Sequence, residues 1–214
     1  MATIALISEG ITDQIILDRI IGEFCDEADA DEFEINPLQP ARDATDEARA
    51  ESFGGWELVL EYCKLPGRIE EALAANDYVL IQIDTDCGDH ENFGLGLTRD
   101  GADKDYLEII EGTIQIIANH IGKETYLKHK DRFIFAVSVH SLECWILLSL
   151  FNIERTKRGA HHLERELKRT KNGKLSKDED CYKKLAKKIK AKSLKGIAGS
   201  NNSLGFFLSR LSSI

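Results

Sequence analysis

Along this chain, short apolar runs alternate with longer segments whose apolar residues recur at helical spacing. The first run, TIALI, passes through Ser8-Glu9-Gly10 into ITDQIILDRIIGEF, which reads as a helix with Thr12 at its N-cap. Ile11 and Ile16 stand at the spacing of a hydrophobic staple, and Asp13 falls in the first turn, where the helix dipole favours an acid. FEINPL is a weaker second strand. The polar stretch QPARDATDEARAESFGG then reads as a loop, whose Gly54-Gly55 pair either makes a plain turn or approaches a phosphate. RIEEALAAN is helical and leads into YVLIQID, a run apolar enough for an interior strand of a parallel sheet. After ENFGLGLTRDG, read as a mobile loop, DKDYLEIIEGTIQIIANHI has helical spacing. RFIFAVSV supplies another buried strand, and HSLECWILLSLF turns directly into an apolar helix.

This alternation predicts the α/β class: a mostly parallel sheet flanked by helices. Residues 1–150 form the α/β domain of that reading, and residues 151–214 a basic helical extension packed on it. Within DEDCYKKLAKKIKAKSLKG, Tyr182, Leu185, Ala186 and Ile189 share one helical face and lysines occupy the others, the pattern of a docked basic helix. A length of 214 residues supports one substantial core rather than two.

Charge changes the picture. The net charge of −9 is unevenly spread, because residues 154–195 hold sixteen Lys and Arg against six Asp and Glu, about +10, leaving twelve against thirty-one, about −19, for the remainder. A basic segment beside acidic clusters suits an enzyme acting on phosphodiesters, although a lysine-rich face is also commonly just solvated. Met1 to Gly10 lacks the pattern of a secretory signal, and no run approaches 18 apolar residues, so the expectation is a cytoplasmic protein with no membrane association. The cysteines (Cys25, Cys63, Cys87, Cys144 and Cys181) are odd in number and never spaced as C-x-x-C, which predicts reduced packing residues. The adjacent His161 and His162 read as a surface pair.

The acids carry the chemistry. YVLIQIDTDCGDH places Asp84, Asp86 and Asp89 within six positions at the carboxyl end of a strand, where parallel sheets put their sites. If Asp84 and Asp86 point the same way, their charges lie roughly 5 to 7 Å apart and repel by about 2 to 3 kcal/mol at an effective dielectric near 20. A divalent cation would offset that repulsion; a solvated Asp/Gly turn is the plainer alternative. Glu9 follows the first strand, and Glu143 lies in the first turn of the helix after FIFAVSV, so parallel strands would bring these acids to the same edge. Several convergent carboxylates are what a two-metal site needs. His140, three residues before Glu143, is a candidate acid-base residue, and Lys184 or its neighbour Lys183 a candidate source of positive charge for the transition state.

ISEGITDQIIL followed by IQIDTD resembles the Toprim domain, with its Glu after the first strand and its D-x-D after a later one. VSVHSLECWILL and NNSLGFFLSRL are similar to segments of small Toprim-like proteins related to overcoming-lysogenization-defect nucleases. The resemblance spans most of the chain in short motifs. It implies a Toprim-like sheet and a nuclease, an endonuclease in preference to an exonuclease, of the phage- or mobile-element-defence type. Its Mg2+ or Mn2+, two ions, would be held by Glu9, Asp84 and Asp86 with Asp13 and Glu143 added. The catalytic set becomes Glu9, Asp84, Asp86, His140 and Lys184. Nucleic acid, DNA or RNA, would run along residues 155–195, and an ATPase would be a separate chain because no Walker motif is present. DTDCGD departs from the D-x-D-x-x-G of Toprim topoisomerases, which favours the nuclease. The alternatives are a phosphatase of the haloacid-dehalogenase type, in which Asp84 would be the nucleophile, a Mn2+-dependent sugar-nucleotide transferase, and a catalytically silent Toprim-like interaction module.

Overall fold

A computed structural model of the chain describes residues 1–26, 33–40, 55–171 and 173–214. In chain order the elements are β1 (Ala2–Ile7), α1 (Ile11–Asp26), β2 (Phe33–Gln39), α2 (Gly55–Lys64), α3 (Arg68–Ala75), β3 (Tyr78–Asp84), β4 (Thr98–Arg99), β5 (Ala102–Asp103), α4 (Tyr106–Ile121), α5 (Lys123–His129), β6 (Phe133–Ser138), α6 (Leu142–Phe151), α7 (Gly159–Arg169), α8 (Glu179–Ala186), α9 (Ala191–Ile197) and α10 (Ser203–Leu211).

Four strands form one parallel sheet in the order β2-β1-β3-β6. Its alternate residues feed two cores. Ile4, Leu6, Leu80 and Ile134 pack under α1, α6 and the C-terminal helices, whereas Ala5, Ile7, Val79, Ile81 and Phe133 face α2, α3 and α4. The result is an α/β fold with helices on both faces. Tyr182, Leu185, Leu194, Leu204 and Phe207 lie in the same buried cluster as β1 and α1, so the basic C-terminal region shares the core of the sheet. No helix among the described residues is long and apolar enough to cross a membrane.

The strand order fixes where a site can form. From β1 the chain first adds β2 on one side, then returns to add β3 and β6 on the other, so the order reverses between β1 and β3. In open parallel sheets the crevice for a ligand opens at the carboxyl ends of the strands flanking that reversal. Glu9 follows β1 and Asp84 ends β3.

Several local expectations change. Helix α1 opens at Ile11, with the Gly10 carbonyl accepting the N–H groups of Asp13 and Gln14 at 3.2 Å; Thr12 therefore sits inside the first turn, and the staple spacing of Ile11 and Ile16 dissolves. Ile16 is instead plain core. The segment read as a mobile loop folds: Phe93 and Leu95 are buried, and Asp100-Gly101, both at positive φ, turns the β4–β5 hairpin. The single basic helix is two, α8 and α9. Lys190 is extended between them, and the Glu23 carboxylate on α1 accepts the Ala191 N–H at 2.8 Å, capping α9 afresh. All five cysteines are free; Cys25, Cys63 and Cys144 are buried, but Cys87 is exposed and packs no core. The loop assigned to QPARDATDEARAESFGG, including Gly54, lies almost wholly outside the described residues.

Candidate functional site

At the carboxyl edge of the sheet a cavity of about 320 Å3 is lined by Glu9, Asp13, Asp84, Asp86 and Glu143 together with His140. These six come from three well-separated stretches of the chain, and one cavity collects them. Each is positioned by identifiable local structure. Glu9 and Asp84 are tied by Gln82, a fully buried polar residue in the middle of β3: its amide oxygen accepts the Glu9 N–H and its amide nitrogen donates to Asp84, both at 3.0 Å. The Asp84 N–H in turn donates to Glu9 Oε1 at 2.6 Å. Both Asp84 oxygens also receive the Leu142 N–H, at 3.1 and 3.2 Å, so this carboxylate caps the N-terminus of α6. Asp13 rides in the first turn of α1. Asp86 is exposed beyond the strand end.

The β6–α6 turn supplies the remaining wall. Buried Thr85 fastens β3 to it, donating its N–H to the carbonyls of Ser138 and His140 and accepting the His140 N–H at 2.8 Å. His140 is held at φ +73, a conformation non-glycine residues adopt only when their surroundings impose it, and its buried Nδ1 has no hydrogen-bond partner among the described residues. Glu143 in the first turn of α6 is only 8% exposed, and its Oε1 accepts the hydroxyl of Tyr182 at 2.6 Å. Close approach explains two glycines. A Cβ on Gly55 would lie 2.8 Å from that of Glu9, and one on Gly159 would lie 2.7 Å from the Cys144 sulfur, so α2 and α7 begin hard against the site.

Crowding shows in the electrostatics. Burial, then repulsion from Asp13, Asp86 and Glu143, pushes Glu9 up to about 8 against the lowering effect of the Asp84 N–H. Burial and Glu143 push Asp13 up to about 7, with Lys177 pulling the other way. Asp84 lies well above the usual carboxylate range because it is desolvated beside Glu9, Asp13 and Glu143. The opposite charge comes from the basic segment: Arg158, in a left-handed conformation at φ +54, and exposed Lys177 both line the cavity, as does His161. Neither Arg158 nor Lys177 makes an ion pair among the described residues.

Lys184 is not brought to the cavity; it is exposed on α8. Asp89 serves the neighbouring loop by accepting the Leu97 N–H at 2.7 Å. His161 and His162 are in edge contact, their ring centroids 5.5 Å apart, with His161 exposed at the rim. Sequence reasoning misses Gln82, Arg158, Lys177 and Tyr182. Gln82 carries a signal, as the single polar residue inside an apolar strand; Tyr182 reads in the sequence only as part of an apolar face.

Carboxylate oxygens are the donors that hard divalent cations prefer, and five side chains offering them fit such an ion in kind. The fit in geometry is incomplete: among the described residues no three Asp, Glu, His or Cys side chains stand ready as a cation cage, and oxygens of Glu9 and Asp84 are engaged by N–H groups. No family model, curated protein or solved structure matches this chain.

Proposed function

We propose that the protein is a Toprim-like, Mg2+- or Mn2+-dependent nuclease. The observation that carries this reading is one cavity with an acidic floor and a basic rim at the strand-order reversal of a parallel sheet. Glu9, Asp84 and Asp86 would hold the cation, with Asp13 and Glu143 completing the set. A divalent ion bound there would acidify a water molecule and neutralise charge on the phosphodiester.

The chain's own groups supply the rest. Arg158 and Lys177, free of ion pairs among the described residues, would meet the non-bridging oxygens of the phosphate, the role that charge pattern alone assigns to Lys184. His140, which lines the cavity and whose buried Nδ1 has no partner among the described residues, would serve as the acid-base residue. Gln82 keeps Glu9 and Asp84 in fixed relation, so orientation does not have to be found during turnover. The lysines of α8, α9 and their junction, Lys183 to Lys195, are exposed and would follow the phosphate backbone of DNA or RNA. A defence role and a separate ATPase partner belong to the same proposal.

Purified protein incubated with Mn2+ and end-labelled DNA and RNA tests it. Cleavage of internal phosphodiesters is the expected result. Release of inorganic phosphate from small monoesters without chain cleavage would indicate the phosphatase, and intact substrates throughout would indicate a silent module.

A further inference from the structure

A buried hydrogen bond links the basic region to the acid cavity. Tyr182 sits on α8, is 2% exposed, and donates its hydroxyl to Glu143 Oε1 at 2.6 Å, within the ordinary range for a hydroxyl donor. Among the described residues it is the one tyrosine lining the cavity; the other four in the sequence lie elsewhere. We infer that Tyr182 is a positioning residue: it clamps Oε1 of Glu143 so that Oε2 is presented to a cation, making α8 a structural part of the catalytic centre. This rests on the nuclease reading above.

Three features support the assignment. Glu143 is fixed at the α6 end by the helix itself, which leaves its carboxylate torsion to be set from outside, and the phenol is the partner that sets it. The phenol is buried at 2% exposure, so water does not compete with it for Oε1 of Glu143. Apolar neighbours on its own helix, Leu185 and Ala186, already anchor α8 in the core, so the hydroxyl is not needed merely to hold the helix in place. Groups that orient a metal ligand from behind typically change metal affinity or activity by about 10- to 100-fold when removed.

The test is a double-mutant cycle of Tyr182→Phe and Glu143→Gln on the full chain, read by calorimetric titration with Mn2+ and by cleavage. Tyr182→Phe is expected to weaken Mn2+ binding by about 10-fold or more, with substrate affinity and its salt dependence unchanged, and to add nothing further in the Glu143→Gln background. Wild-type Mn2+ affinity in Tyr182→Phe, or additive effects in the double variant, would overturn the positioning role while leaving the nuclease reading standing. Absence of Mn2+ binding to the wild-type protein would overturn both. A second measurement needs no variant: saturating Mn2+ should produce a near-ultraviolet tyrosine difference spectrum in the wild-type protein as a cation held by Glu143 changes the surroundings of the phenol bonded to it, and a flat difference spectrum in a protein that binds Mn2+ would also overturn the inference.

Discussion

Asp77 and Asp84 bracket the same strand, one at the amino end of the sheet and the other at its carboxyl end, and their surroundings are opposite. Asp77 accepts the N–H and hydroxyl of Thr3 at 2.8 and 2.9 Å. These bonds, with Arg132 nearby, hold its carboxyl below the usual range. Arg132 ties the same corner down by donating to the carbonyls of Leu73, Asn76 and Asp77. Asp84 also receives N–H groups, yet it is desolvated among Glu9, Asp13 and Glu143 and is pushed well up. The amino end shows an exposed acid whose charge is met by hydrogen bonds and by water. The carboxyl end gathers acids that burial and mutual repulsion push up, and the proposed cation site rests on that crowding.

The largest effect should come from breaking the carboxyl end. Asp84→Asn is expected to reduce Mn2+-dependent cleavage by about 10³-fold or to background, at the upper end of the cost of losing one electrostatic partner. Asp77→Asn should leave cleavage at the wild-type rate while lowering the melting temperature. Equal losses from the two substitutions in a cleavage assay would erase the distinction between the ends.

Glu143→Gln is milder, because the amide keeps its shape and can still accept from Tyr182. Its rate should fall by about 10²-fold, equivalent to about 2.7 kcal/mol, with substrate affinity retained. A near-wild-type rate at limiting Mn2+ would reduce the cation-holding set to Glu9, Asp84 and Asp86.

Proton linkage separates the ends without any assay of turnover. Glu9 rises from 4.5 to about 8 and Asp13 from 3.8 to about 7, so the folded state keeps protons that the unfolded chain releases. Their stabilising contribution is full below the unfolded values and is lost as pH climbs through the folded ones. Metal-free protein should therefore melt at progressively lower temperature from about pH 4 to about pH 8, and Mn2+ should restore more stability the higher the pH. Asp77, held low, acts in the reverse sense, and its contribution fades as pH falls. Thermal melts across this range with and without Mn2+ check the sign; a metal-free melting temperature that rises steadily to pH 8 would contradict it.

The smallest effects belong to the exposed lysines. Neutralising Lys187 or Lys190 singly should reduce the magnitude of the salt dependence of nucleic-acid binding by roughly 0.7 to 0.9 for each phosphate no longer neutralised, equally for all sequences. An unchanged slope for Lys183, Lys187 and Lys190 together would make this face merely solvated.

The sequence is most informative where local pattern and topology agree. Apolar runs announce β1, β3 and β6, and parallel strands necessarily present their carboxyl ends together, which is why Glu9, Asp84 and Glu143 can be grouped from the sequence alone. The positive rim is not legible, because Arg158 and Lys177 reach the cavity through the docking of α7 and the loop before α8, and no spacing encodes that docking. Lys184 looks equivalent to them by charge and differs in lying on the exposed face of α8, away from Tyr182. The break between α8 and α9 depends on Glu23, about 170 residues earlier in the chain. The β4–β5 turn is different in kind: Asp100-Gly101 is a local hairpin signal that the loop reading passes over.

Calorimetric titration of the metal-free protein with Mn2+ tests the central claim most directly, run in parallel on wild type, Asp84→Asn and Asp77→Asn. Saturable binding is predicted in wild type and Asp77→Asn, and its loss in Asp84→Asn. Wild-type protein without saturable binding, or Asp84→Asn binding as wild type does, would contradict it.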